Sequence, residues 1–246
     1  EELLVEDRIT KERTGTARAS NEPPDGRQIA PAERYRLDPF LCSVGCRHGG
    51  ILLQARARME FACVVLAAGE GKRMRAQTPK VLHRLAGVPM IGYPVATALA
   101  AGARPVVVVL STHAEPIVAA LEQRFGPKTV EIAIQPKPLG TADAVAHAEK
   151  ALGRAKGPVL ILYGDTPLVT PGEILLLVRA YEKAGTRLAV VTCRAEDPSG
   201  YGRVLRDAEG RIVAVREHAD CTAEQRLIRE VNAGIYLCDR KLLFDA

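Results

Sequence analysis

From Phe61 onward, short and nearly unbroken apolar runs alternate with longer stretches of helical period. Phe61 to Ala67, Pro105 to Leu110, Val130 to Ile134, Pro158 to Tyr163 and Arg187 to Cys193 carry few polar interruptions. Such runs suit strands covered on both faces, because a strand with one wet face would alternate apolar with polar residues. Between them, Met90 to Ala101, Glu115 to Arg124, Thr141 to Leu152 and Gly172 to Lys183 read as helices. The succession predicts an α/β fold, a Rossmann-like doubly wound sheet that is mainly parallel. The pattern then changes. Gly202 to Arg206, the turn Asp207-Ala208-Glu209-Gly210 and Arg211 to Arg216 read as a hairpin, so the sheet is expected to be mixed. A last strand over Val231 to Cys238 leads into a helix that begins at Asp239 and is still running at Ala246, as though the domain were incomplete at its C-terminus.

Residues 1–58 show no period of 2 or 3.6 and contain the turn-rich cluster Asn21-Glu22-Pro23-Pro24-Asp25-Gly26. A packed core is hard to build from them, and they are expected to form a poorly ordered extension. Met59 stands immediately before the first strand-like run and is read as the natural start, with the leader as upstream sequence. Two regions follow: an extension over 1–58 and a domain over 59–246. Cys42, Cys46 and His48 make half a zinc site, but no matching pair follows at a useful distance, and metal is not expected there.

Composition narrows the class of partner. The 246 residues are 47% hydrophobic and 26% charged, which is an ordinary globular balance. Net charge is +5, from 34 basic and 29 acidic residues spread thinly along the chain. A nucleic-acid groove needs clustered cations interleaved with stacking aromatics, whereas aromatics here are 4% and Trp is absent, so nucleic acid is not expected as a partner. The longest apolar stretch, Val88 to Ala103, falls short of the roughly 20 residues that span a bilayer and contains two prolines. The six cysteines have no repeated spacing, and the N-terminus is acidic where a secretory signal would be basic. No membrane partner and a cytoplasmic location are the expectation.

The chemistry is concentrated after the strands. The first strand runs into Ala68-Gly69-Glu70-Gly71-Lys72-Arg73-Met74, then Pro79-Lys80. Glycines at the carboxyl end of a strand let backbone N–H groups approach phosphate oxygens. The spacing is neither the dinucleotide fingerprint nor a P-loop, and a bare Gly-x-Gly is equally a tight turn. Arg73 and Lys80 add two cations beside that loop, as a triphosphate with a departing pyrophosphate would need. Gln135 follows the third strand and offers one acceptor and one donor, suited to a uracil edge, although a lone Gln is as readily a loop residue. Asp165 stands directly off a buried strand, where a carboxylate either binds a cation or caps the next helix. Gly202, Glu217 and Asn232 supply backbone access, a carboxylate and an amide, the groups a sugar needs, and each taken alone has a plain structural reading.

The segment Leu66-Ala67-Ala68-Gly69-Glu70-Gly71-Lys72-Arg73-Met74, with Pro79-Lys80-Val81-Leu82-His83 and Leu85-Ala86-Gly87, resembles the signature of the sugar nucleotidyltransferases. It is similar in particular to the N-acetylglucosamine-1-phosphate uridyltransferases. Gln135-Pro136-Lys137-Pro138-Leu139-Gly140-Thr141, Tyr163-Gly164-Asp165-Thr166-Pro167-Leu168, Gly200-Tyr201-Gly202-Arg203-Val204 and Asn232-Ala233-Gly234 resemble further segments of that family. The resemblance covers about Met59 to Ala246. It implies the nucleotide-diphospho-sugar transferase type of sheet and Mg²⁺-dependent transfer of uridylyl from UTP to N-acetylglucosamine 1-phosphate, a step toward bacterial cell-wall precursors. By it, Arg73 and Lys80 contact the triphosphate. Leu66, Ala67, Ala68 and Gly69 border the nucleotide, together with Gln135, Gly140 and Thr141. Asp165 holds Mg²⁺, and Gly202, Glu217 and Asn232 hold the sugar. Two positions depart from the family's usual residues: Lys72 stands where Thr is common, and Asp143 where many relatives have His. In the family a second metal-binding Asn and an acetyltransferase β-helix follow, and this chain carries no hexapeptide repeats. Acetyl transfer is therefore not expected here, and oligomers are expected only through that missing domain. Transfer to another sugar 1-phosphate, such as glucose 1-phosphate, and a catalytically dead nucleotide-binding subunit are the rival readings. The presence of Arg73, Lys80 and Asp165 disfavours the second.

Overall fold

The computed structural model describes residues 59–69 and 78–245. The leader, with Cys42, Cys46 and His48, and residues 70–77, which include Gly71, Lys72 and Arg73, lie outside the described residues.

Four strands form the parallel part of the sheet: β1 (Ala62–Leu66), β4 (Val106–Leu110), β5 (Glu131–Ile134) and β6 (Val159–Tyr163). Every residue of β1 and β4 is buried. Their unbroken apolar runs still obey a period of 2. Cys63, Val65, Val106, Val108, Leu110, Leu160 and Leu162 point into one core, while Ala62, Val64, Val107, Val109, Val159 and Ile161 point into the other. The first core is closed by helices α1 (Gly92–Ala100), α2 (Glu115–Phe125) and α5 (Pro171–Ala184), through residues such as Val95, Ile117, Leu121 and Leu177. The second is closed by α3 (Thr141–His147) and α4 (Glu149–Leu152), through Ala144, Val145, Ala148 and Leu152. Cover on both faces is the reason those strands carry no polar alternation.

Helix α5 shows how local signals fix an element. Thr170 and Glu173 form a reciprocal capping box, Pro171 occupies the first turn, and Gly185 ends the helix at φ 62°. Ile174, Leu177, Val178 and Tyr181, at helical spacing, are its buried face. The stretch expected as one helix over Thr141 to Leu152 is instead two, α3 and α4, broken at Ala148. The His147 ring nitrogen Nδ1 lies 2.8 Å from the Asp143 carbonyl, the acceptor that the His147 backbone would use, and the ladder tightens to Ala148 N–H donating to Val145 O.

The antiparallel part is built from β7 (Leu188–Arg194), β8 (Arg203–Arg206), β9 (Ile212–Arg216) and β10 (Glu230–Cys238). Strand order is β5-β4-β1-β6-β10-β8-β9, with β7 on the other side of β10. Strand β10 runs antiparallel to all three of its neighbours and is the element that makes the sheet mixed. A two-stranded hairpin, β2 (Arg84–Leu85) with β3 (Val88–Pro89), and a short helix α6 (Ala223–Arg226) complete the connections, and α7 (Arg240–Phe244) packs Leu243 and Phe244 against the second core. Among the described residues no helix is long and apolar enough to cross a membrane.

Candidate active site

Register brings the sequence's scattered polar residues to one edge. Leu66 pairs with Val109 of β4 and Tyr163 of β6, and Leu110 pairs with Ile134 of β5, so the four parallel strands end side by side. The residues that follow each strand therefore converge, as at the carboxyl edge of any open parallel sheet. A cavity of about 610 Å³ lies there. Leu66 at the end of β1 and Ala67, Ala68 and Gly69 just beyond it line it, with Gln135, Gly140 and Thr141 from beyond β5, Lys80 from a 3-10 turn, and Tyr163 at the end of β6 with Asp165 just beyond. The expected nucleotide and metal residues that are described thus share one cavity, whereas Arg73 lies outside the described residues.

The two central strand ends are stitched closely. The Gly164 N–H donates to Leu66 O at 2.8 Å, and a Cβ on Gly164 would stand 2.8 Å from Ile91 Cδ1 and 3.0 Å from Ala67 Cβ. Only glycine leaves room for Asp165 to follow directly. Helix α5 has its own cap in Thr170, so Asp165 is not needed to cap it. Lys80 reaches the same point because Val81, 6% exposed, pins the turn Lys80–Leu82 to the core. Its Nζ donates to Asp165 Oδ2 at 2.5 Å. Both side chains are more than one third exposed, at 38% and 35%, so the pair is worth at most about 1 kcal/mol and yields readily to a stronger anion or cation.

The chemistry of Asp165 is compatible with a hard cation. It is one hard carboxylate, and among the described residues no group of three His, Cys, Asp or Glu surrounds it. One carboxylate is compatible with magnesium, which takes one or two carboxylates and completes its shell with phosphate oxygens and water.

Gln135, 5% exposed, is fixed by its backbone N–H, which donates to Leu110 O at 2.8 Å. Its side-chain Nε2 donates to Gly140 O at 3.1 Å and to Asp143 Oδ2 at 2.7 Å.

Beside this cavity the expected sugar residues come together, Asn232 on β10, Gly202 just before β8 and Glu217 just after β9. The Asn232 N–H donates to Gly202 O at 2.9 Å, and a Cβ on Gly202 would stand 3.6 Å from Glu217 Oε1. Asn232 Oδ1 accepts from the Gly234 N–H at 2.9 Å, and its Nδ2 donates to the Tyr236 hydroxyl. Burial pushes the Tyr236 phenol above its ordinary range; the Asn232 amide opposes that shift, and the nearby Tyr163 and Glu217 add to it. Gly234 is at φ 77°, and a Cβ there would come 2.7 Å from Tyr163 Cε2.

Two residues of evident consequence do not stand out in the sequence. Tyr163 lines the cavity and packs on Gly234, joining the two groups; its place as the last strand residue before Gly164-Asp165 is the signal that could have found it. Arg203 is 1% exposed, an unusual fate for an arginine. It donates to Tyr201 O at 2.5 Å and lies 3.2 Å from His218 Nδ1. A guanidinium has no acceptor capacity, so His218 receives that bond on Nδ1, and the turn after Glu217 is tied to β8.

Comparison with known proteins bears on the family and the fold. The model of the nucleotidyl transferase family matches residues 62–246. A bifunctional protein GlmU of Sorangium cellulosum is 50% identical over 180 residues, which are 72% of this chain and 38% of that protein. One from Anaeromyxobacter sp. strain K is 46% identical over 189 residues, 77% of this chain and 39% of that protein. The chain thus spans about two fifths of the length of the curated relatives it matches. A crystal structure of a putative glucose-1-phosphate thymidylyltransferase from Bacillus anthracis, in complex with a sucrose, superposes with a TM-score of 0.62 at 22% identity. It covers 74% of this chain and 73% of its own, and carries the same fold. By the family match over residues 62–246, the chain belongs to the nucleotidyl transferases, a family of enzymes.

Proposed function

We propose that this chain carries out uridylyl transfer from UTP to N-acetylglucosamine 1-phosphate, giving UDP-N-acetylglucosamine and pyrophosphate. A phosphate oxygen of the sugar phosphate attacks the α-phosphorus of UTP, and the bond from that phosphorus to the oxygen bridging to the β-phosphate breaks. No covalent bond to the protein is required, so the residues act by alignment and charge neutralisation. Lys80, with Arg73 earlier in the sequence, offsets charge on the triphosphate and the departing pyrophosphate. The β1 exit from Leu66 to Gly69, with Gly140 and Thr141, borders the nucleotide, and Gln135 addresses uracil. Gly202, Glu217 and Asn232 address the acetamido sugar. Asp165 would hold Mg²⁺, which supplies charge stabilisation at the reacting phosphates when bound.

The observation that carries this reading is the convergence of Lys80, Asp165 and Gln135 on one cavity, with the Gly202, Glu217 and Asn232 group adjoining through Tyr163. The GlmU relatives support the choice of substrates. The four described cysteines, Cys63, Cys193, Cys221 and Cys238, are all free, which suits a reducing, cytoplasmic setting. Oligomers, by the same reading, would form through sequence that the longer relatives have outside the matched part. The test is pyrophosphate release from UTP and Mg²⁺ with either N-acetylglucosamine 1-phosphate or glucose 1-phosphate. A clear preference for the acetamido sugar is expected, and equal or greater release with glucose 1-phosphate overturns the sugar assignment.

A further inference from the structure

Resting on the uridylyl reading above, we propose that Asp143 is a positioning residue. It locks the Gln135 amide with its oxygen toward the cavity and so selects uracil over cytosine.

The neighbours of the amide decide its orientation. Nε2 of Gln135 faces Gly140 O at 3.1 Å and Asp143 Oδ2 at 2.7 Å. A carbonyl and a carboxylate only accept, so both amide hydrogens are committed to them. A flipped amide would place its oxygen against two oxygens and strand its NH₂ group. At 5% exposure little water could compensate. The orientation is therefore set by chemistry, and the bond to the carboxylate is the stronger of the two because its acceptor is charged. Asp143 is itself placed by α3, with Oδ2 3.6 Å from His147 Nδ1.

What remains for a base is one acceptor, Oε1, on a residue that lines the cavity. An acceptor pairs with a ring N–H. Uracil carries one at N3, where cytosine has a bare lone pair. Without Asp143, only the Gly140 carbonyl opposes a flip, and a flipped amide would offer its N–H to cytosine N3. Asp143 would then govern base choice by holding the residue that reads the base.

The experiment is calorimetric affinity for UTP and CTP, with melting temperature, on the wild-type chain, Asp143→Ala and Asp143→Asn. Asp143 is only partly buried and lies on a helix, where Ala is well tolerated, so the fold is expected to persist. The preference for UTP over CTP should fall about tenfold in Asp143→Ala, the worth of one hydrogen bond to a charged group. Asp143→Asn should recover most of it, since its amide oxygen accepts as the carboxylate does. A role confined to stability would move melting temperature and leave the ratio alone. An unchanged ratio in Asp143→Ala, or a fall in Asp143→Asn as large as in Asp143→Ala, overturns the lock. A wild-type chain that binds neither nucleotide removes the uridylyl reading itself. A wild-type preference for UTP that survives Asp143→Ala removes only the lock.

Discussion

Gly234→Ala tests how tightly the two halves of the site are joined. Gly234 sits in the irregular part of β10, between the paired residues Asn232 and Ile235, at φ 77°. Two costs arise. An L-residue in left-handed backbone is disfavoured by about 1–2 kcal/mol. The added Cβ would also stand 2.7 Å from Tyr163 Cε2 and 3.1 Å from Cδ2, and overpacking of that kind costs about 1–3 kcal/mol. Together the loss should be about 2–5 kcal/mol. Gly210→Ala is the internal control: Gly210 has φ 84°, and a Cβ there would meet nothing within 4 Å, so only the backbone cost applies.

Urea unfolding of both variants at constant m gives the two losses, and their difference isolates the contact with Tyr163. In a Tyr163→Ala background the ring is gone, and Gly234→Ala should then cost no more than Gly210→Ala. The ring has one other way to yield, by swinging into the cavity it lines, and that would weaken UTP binding about tenfold in place of stability. If Gly234→Ala costs the same as Gly210→Ala and UTP affinity is unchanged, the reasoning that ties Tyr163 to the bulge is wrong.

Further expectations follow from individual contacts. Asp165→Asn should keep the melting temperature of the wild type and lose most Mg²⁺-dependent pyrophosphate release; wild-type turnover in that variant would remove the metal assignment. Lys80→Ala should lower UTP turnover more than tenfold, as loss of a charge-assisted contact at a reacting phosphate costs a few kcal/mol, and steady-state kinetics check it. Glu230 is held below its ordinary 4.5: burial pushes it up, but the hydrogen bonds from Arg206 and Thr192 outweigh that. Its stabilisation is therefore full above that value and is lost as pH falls through the lower folded one, so Glu230→Gln should flatten the acid limb of a stability-against-pH curve. Burial, aided by Asp239, pushes the Cys238 thiol up to about 11, so in the native protein it should resist a thiol reagent at pH 8 and react once unfolded in urea.

The parallel core is legible because its strands are buried on both faces and so appear as continuous apolar runs. The expected runs overshoot the ladders by a residue for a physical reason. Pro105 and Pro158 have no N–H to give, yet their carbonyls accept from Cys63 and Ala62 at 3.0 and 3.1 Å, so they belong to the sheet without being strand residues. The β2–β3 hairpin and the turn that carries Lys80 are not legible, since elements of two or three residues are too short to show a period. The break at Ala148 has no Gly or Pro to announce it and depends on where the His147 ring turns. The Gln135 to Asp143 bond is equally invisible: in the sequence Asp143 stands out only as an unusual residue, and which side chain it faces depends on how β5 returns into α3.

Strand order is the deeper reason the candidate residues could be listed from the sequence but not assembled from it. β10 is last of the strands in the chain, yet it lies between β6 and β7, antiparallel to both. Its C-terminal half, Tyr236 to Cys238, pairs with β6; its N-terminal half has left β6 and meets β8 through Val231 and Arg203. At that handover the register against β7 shifts between Asn232 and Ile235. Side chains alternate faces along a strand, so a shift there decides which way Asn232 points. The same shift sets Gly234 under Tyr163 at the end of β6 and leaves the Asn232 N–H to Gly202. A cavity at the ends of parallel strands and the Gly202, Glu217 and Asn232 group on antiparallel ones have no intrinsic register with each other. One inserted strand, irregular at two residues, supplies it.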